Sequence, residues 1–125
     1  MTVRHLPSRA VLVFLCFSPV LLSSADAVSR GKQIFDKQCS KCHSTDADKE
    51  GPHLRGVYGR PAAAVASFNY SDALRASHIT WEDATLDKWL ADPSGFVPDS
   101  YMAFHLSDAG ARRAVIAYLR QLSGK

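Results

Sequence analysis

Two cysteines separated by two residues and followed at once by a histidine, Cys39-Ser40-Lys41-Cys42-His43, constrain this 125-residue chain more than any other feature. Thiols at that spacing can both reach the vinyl groups of one haem and form thioether bonds. The adjacent histidine is then carried under the ring, where an imidazole nitrogen can bind the iron. Other readings of the pair fit less well. A thioredoxin-like redox pair sits near a βαβ pattern, and no parallel-strand pattern is present. A zinc site needs further ligands, and the one other cysteine, Cys16, falls in an apolar leader.

That leader reads as an export signal. Arg4 and Arg9 give a positive start, Ala10 to Leu22 form an apolar run of 13 residues, and Ala25-Asp26-Ala27 supplies a small-x-small cleavage site. As a helix the run spans about 20 Å, short of the roughly 30 Å hydrocarbon core, and Ser18 and Pro19 interrupt it. Bulky Leu15 before Cys16 argues against a lipid-anchored cysteine. The expected organisation is a cleaved signal peptide over residues 1–27 and one domain over residues 28–125, in the periplasm. The remaining 98 residues make a thin core that a buried porphyrin would enlarge. They carry 13 basic and 11 acidic side chains, a balance that calls for neither nucleic acid nor an anionic membrane surface. With Cys39 and Cys42 in thioethers, no thiol is left to form a disulfide.

Periodicity predicts an all-α chain with long loops. Gly31, Ile34 and Phe35 share a face of a helix over residues 29–38. Gly51, Pro52, Gly56, Gly59 and Pro61 mark residues 46–66 as loop and turn. A short helix begins at Ser71, and another runs from near Asp83 to before Pro93, with Leu86, Trp89 and Leu90 on one face. Asp92-Pro93-Ser94-Gly95 is a turn signal. Ser107 is placed to cap a last helix whose apolar stripe is Ala111, Val115, Tyr118, Leu119 and Leu122. The terminal helices should pack together, with Gly31 allowing close approach to Val115 and Tyr118.

Iron held by one histidine has an open face, and what fills it decides the function. Methionine or a second histidine makes a carrier; an open position makes a gas-binding or reactive site. After the leader the one methionine is Met102, 59 residues past His43, in a turn-rich apolar loop from Phe96 to Phe104. A methionine in a loop is less suited to core filling than one on a helical stripe. The rival ligands are His53, His78 and His105. His53 would need its loop to cross the haem edge, and His78 sits at a helix boundary. His105, three residues from Met102, is the serious alternative.

The chain resembles the class I cytochromes c, close to the mitochondrial and bacterial c2-type proteins, from Gly31 to Leu122. The resemblance rests on ordered motifs: the haem motif, Gly51-Pro52-His53-Leu54, Gly59-Arg60, Phe68-Asn69-Tyr70-Ser71-Asp72-Ala73, Ile79-Thr80-Trp81, Pro98 to Met102, and Ile116-Ala117-Tyr118-Leu119. It implies one haem c attached through Cys39 and Cys42, with His43 and Met102 as the proximal and distal ligands. It implies that the Pro52 carbonyl accepts from the other ring nitrogen of His43. Tyr70 and Trp81 match donors to a haem propionate, Arg60 the basic residue near the propionates, and Phe35 with Tyr118 the terminal-helix contact. Trp89 stands where the family often has tyrosine. Leu74 replaces an asparagine common in the mitochondrial proteins.

The expected function is a one-electron carrier between a donor and an acceptor redox protein, monomeric, not an enzyme and without stable membrane insertion. A haem subunit bound permanently in a dehydrogenase or oxidase complex is the alternative; a peroxide- or gas-reactive haem protein is a third reading. Where many mitochondrial relatives ring the haem edge with lysines, this chain has Gln38, Ser94, Gly95 and Tyr101. Asp36, Asp87, Asp92 and Asp99 are expected to add negative potential. The predicted docking face is therefore apolar and polar, around Tyr101, Ala103 and Phe104, without a strong basic ring.

Overall fold

The computed structural model describes residues 1–2 and 23–125. Cys16 and most of the expected leader lie outside the described residues. The described residues form five α-helices: α1 Ser24–Ile34, α2 Asp72–Arg75, α3 Asp83–Ala91, α4 Pro93–Phe96 and α5 Ala109–Leu122. One wider π-helical turn, Phe35–Cys39, continues α1. The only β pairing among the described residues is an isolated antiparallel bridge between Pro61 and Thr80.

α1 starts five residues earlier than the periodicity predicts. The Ser23 hydroxyl caps the first turn while the Asp26 carboxylate accepts from the Ser23 N–H at 3.3 Å, a reciprocal pair that satisfies two otherwise unpaired donors. In the full chain Ala25–Ala27, the expected cleavage residues, thus occupy the first turn of α1. The cap of α5 is Asp108, not Ser107: its carboxylate accepts the Ala111 N–H at 2.6 Å. An anion is the better cap because the helix N-terminus carries partial positive charge. Asp92 likewise accepts from the Gly95 N–H, so the predicted turn tightens into the single helical turn α4 behind Pro93.

The principal helix pair is α1 with α5. A Cβ on Gly31 would stand 1.9 Å from the carbonyl oxygen of Ala114 and 2.9 Å from the Cβ of Tyr118. Gly31 therefore admits the backbone of α5 itself, which is closer packing than the side-chain contact expected with Val115. Phe35 packs edge-on to Tyr118 with ring centroids 5.4 Å apart. α3 lies against α5, and the long loops close around the remaining face, where the core side chains line a cavity.

Candidate haem site

The cavity has a volume of about 690 Å³, within the usual range for a small-molecule or cofactor pocket. Its walls are chiefly apolar, with Leu74, Trp89, Leu90 and Val115 among them. All eight predicted site residues line it: Cys39, Cys42, His43, Pro52, Arg60, Tyr70, Trp81 and Met102. The rival histidines do not. His53 Nδ1 is 2.8 Å from the Asp48 carboxylate, His78 is exposed, and His105 Nδ1 is 3.2 Å from the Ala91 carbonyl oxygen.

The π turn explains how the cysteines reach the cavity. The Ser40 N–H bonds back to the Phe35 carbonyl at 3.0 Å, one residue further than in an α-helix. Such wide turns occur often at functional sites because they re-aim the side chains that follow. The His43 and Cys42 N–H groups then both bond to the Cys39 carbonyl, at 2.9 and 3.1 Å, curling the motif into a compact turn. Burial, with a smaller contribution from Cys42, pushes the Cys39 thiol up to about 11, so at neutral pH it is protonated. A hydrogen bond to Glu50 at 3.2 Å raises the Cys42 thiol as well. No disulfide joins them.

His43 is fixed from two sides. Its Nδ1–H donates to the Pro52 carbonyl at 2.8 Å, and Gly51 lies flat against the ring, where a Cβ would come within 2.3 Å of Cε1. Burial lowers the imidazole pKa, against a smaller upward pull from the Pro52 bond, so the ring is neutral. With the proton on Nδ1, the lone pair belongs to Nε2, the form a metal ligand requires.

Arg60 and Trp81 are brought side by side by a short ladder. Gly59 N–H bonds to Trp81 O at 2.6 Å, Trp81 N–H to Arg60 O at 3.0 Å, and Ala62 N–H to Ile79 O at 2.7 Å. Arg60 donates to the carbonyls of His53 and Arg55 and has no carboxylate partner among the described residues. Burial lowers its pKa. Tyr70 OH accepts from the Val65 N–H at 3.4 Å, leaving its own proton free. A half-buried guanidinium without a carboxylate partner among the described residues, a free phenol proton, a neutral imidazole, a thioether and two thiols around an apolar cavity fit a haem.

At the lip, Tyr101 is 74% exposed, Ala103 is exposed, and Met102 and Phe104 are half-buried. The sequence reading passed over two lysines. Lys37 and Lys41 also line the cavity and have no carboxylate partner among the described residues. The signal was their spacing: four apart on a helical turn running into the haem motif. Of the four aspartates expected nearby, Asp36 is bonded to Lys32 at 2.6 Å and Asp87 to Arg112 at 2.7 Å.

This arrangement is that of a small single-haem electron-transfer protein, and the comparisons agree. The sequence model of the cytochrome c family matches residues 28–123. Cytochrome c2 iso-2 of Magnetospirillum fulvum is 47% identical over 87 residues, covering 67% of this chain and 91% of that protein. Cytochrome c of Euglena viridis is 40% identical over 96 residues, covering 74% and 94%. Among solved structures, cytochrome cH from Methylobacterium extorquens superposes with a TM-score of 0.72 at 38% identity, covering 75% of this chain and 97% of that one. The chain belongs to the cytochrome c family, and binds one haem c covalently through Cys39 and Cys42.

Proposed function

We propose that the protein is an exported one-electron carrier in which His43 and Met102 would be the two residues that bind the haem iron. The observation that carries this is the lining of the cavity. It holds Cys39, Cys42, His43 and Met102, and none of the other described histidines. The haem supplies an iron that gains and loses one electron. The chain's own residues keep that change small in structural cost. Pro52 and Gly51 hold the His43 imidazole in one tautomer and one orientation, so it is already in place for either charge state. Met102, a neutral thioether, would favour the less charged iron and so raise the reduction potential. Arg60, with Tyr70 and Trp81, would hold the propionates, a reading supported by the lining of the cavity by all three. Leu74, Leu90 and Val115 keep water from the cavity.

The lip around Tyr101, Ala103 and Phe104 is the proposed docking face, with Lys37 and Lys41 as its positive flank. No helix among the described residues is long and apolar enough to cross a membrane. The family match begins at residue 28, in keeping with a leader that is removed on export to the periplasm.

Absorption spectroscopy of Met102→Ala tests the ligand assignment. The oxidised parent should show the weak long-wavelength iron–thioether band, the variant should lack it, and the reduced variant should bind carbon monoxide. If His105→Ala changes the ligation and Met102→Ala does not, the assignment is wrong. The intact mass should equal residues 28–125 plus one haem, and acid–acetone should leave the haem on the polypeptide.

A further inference from the structure

We infer that Arg112, held by Asp87, is the positioning residue that sets how firmly the Met102 segment closes over the cavity. The inference rests on Met102 being the second iron ligand.

Residues 101–105 form no backbone–backbone hydrogen bond among the described residues. Apart from the bond of His105 Nδ1 to the Ala91 carbonyl at 3.2 Å, a stretch without a ladder of its own is placed by whatever holds its two ends. The upstream end is a turn in which Pro98 fixes one dihedral and the Ser100 N–H closes onto Val97 O at 3.2 Å. Asp99 sits there at φ 65°, in the left-handed region. The downstream end is where Arg112 acts.

Arg112 belongs to the first turns of α5, and its side chain is only 13% exposed. Its Nε–H donates to Asp87 on α3 at 2.7 Å. Its Nη1 donates to the carbonyls of Leu106 and Ser107, at 2.9 and 2.8 Å. The Leu106 N–H in turn bonds to Leu90 O at 2.8 Å. One guanidinium thus joins α3, α5 and the end of the Met102 segment. A cation near a helix N-terminus is opposed by the helix dipole, and a buried one is costly. Asp87 and the two carbonyls offset both. The forked geometry matters, because a single ammonium cannot serve three acceptors on two elements in one plane. Arg112 bonds directly to the end of the Met102 segment and makes no bond to His43, Pro52 or Gly51.

Imidazole added to the oxidised haem protein tests this. It can bind only when Met102 has left, so its apparent affinity scales with the open fraction. Arg112→Gln and Asp87→Asn should each bind imidazole about tenfold more tightly, the equivalent of about 1.4 kcal/mol of lost closure. Arg112→Lys should fall between them and the parent. Leu122→Ala, on the last turn of α5, should lose stability to denaturant yet keep the parent's imidazole affinity. If Arg112→Gln does not fold, Asp87→Asn and Arg112→Lys carry the test. Parent-like affinity in these variants, with much tighter binding to Met102→Ala, overturns the inference and leaves the ligand assignment standing. An equal gain in Leu122→Ala also overturns it, since general loosening would then suffice. If Met102→Ala itself binds no tighter than the parent, the ligand assignment fails and the inference with it.

Discussion

The Nδ1–H of His43 donates to the carbonyl of Pro52 across 2.8 Å, while Gly51 lies against the face of the same ring. Two consecutive residues, Gly51 and Pro52, thus act on one imidazole. The carbonyl selects the tautomer, the proline restricts the backbone that presents it, and the glycine leaves the space the ring occupies.

Gly51→Ala should therefore displace the imidazole. A methyl group 2.3 Å from Cε1 cannot be accommodated without movement of the ring or of the loop. Overpacking of this kind costs about 1–3 kcal/mol. Guanidinium unfolding of the haem protein should show that loss, together with a changed absorption spectrum, while the circular dichroism of the helices stays near that of the parent.

Gly31→Ala tests the terminal-helix crossing. Helix propensity alone would stabilise the variant by about 1 kcal/mol. The new Cβ, however, meets the Ala114 carbonyl at 1.9 Å, and backbone cannot rotate away as a side chain can. The steric term should win, giving a net loss of about 1–3 kcal/mol in denaturant melts. A variant as stable as the parent would mean that α1 and α5 can separate freely.

Acid should weaken the loop that carries Pro52. Asp48 accepts from the Ser67 hydroxyl at 2.6 Å and from both the backbone N–H and Nδ1 of His53, at 2.9 and 2.8 Å. These bonds, Ser67 first, hold its carboxyl at about 2, below the ordinary 3.8. A depressed folded pKa gives stability that is present above the unfolded value and is lost as pH falls through the folded one. The parent should lose stability between about pH 4 and pH 2, and Asp48→Asn should lack that part of the acid dependence. Parallel acid titrations of the two proteins by circular dichroism measure the difference.

Docking should depend weakly on salt. The face around Tyr101, Ala103 and Phe104 is apolar and polar, and Lys37 and Lys41 add only a small positive flank. Exposed charges are screened beyond about 8 Å at physiological ionic strength. Stopped-flow electron transfer to the natural partner should slow only slightly as salt rises, and Tyr101→Ala should slow it more than Lys37→Gln does. A steep salt dependence would show a strongly basic docking surface instead.

The haem attachment, the all-α class and eight of the residues that line the cavity were legible along the chain. Chemistry that depends on covalent spacing or on helical period is local, so Cys39, Cys42 and His43 and the stripe of α5 could be read along the chain. Composition also sufficed for the second ligand candidate, because Met102 is alone past the leader. Relationships between distant segments came only with folding. That Gly31 faces the Ala114 backbone rather than Val115 follows from the crossing of two helices, which no local pattern encodes. The cap of α5 went to Asp108 because its carboxylate, once folded, reaches the Ala111 N–H. Arg112 carries no signal of its own in the sequence. It becomes a clamp on the Met102 segment only because α3 brings Asp87, and the returning loop two carbonyls, within reach of one planar group.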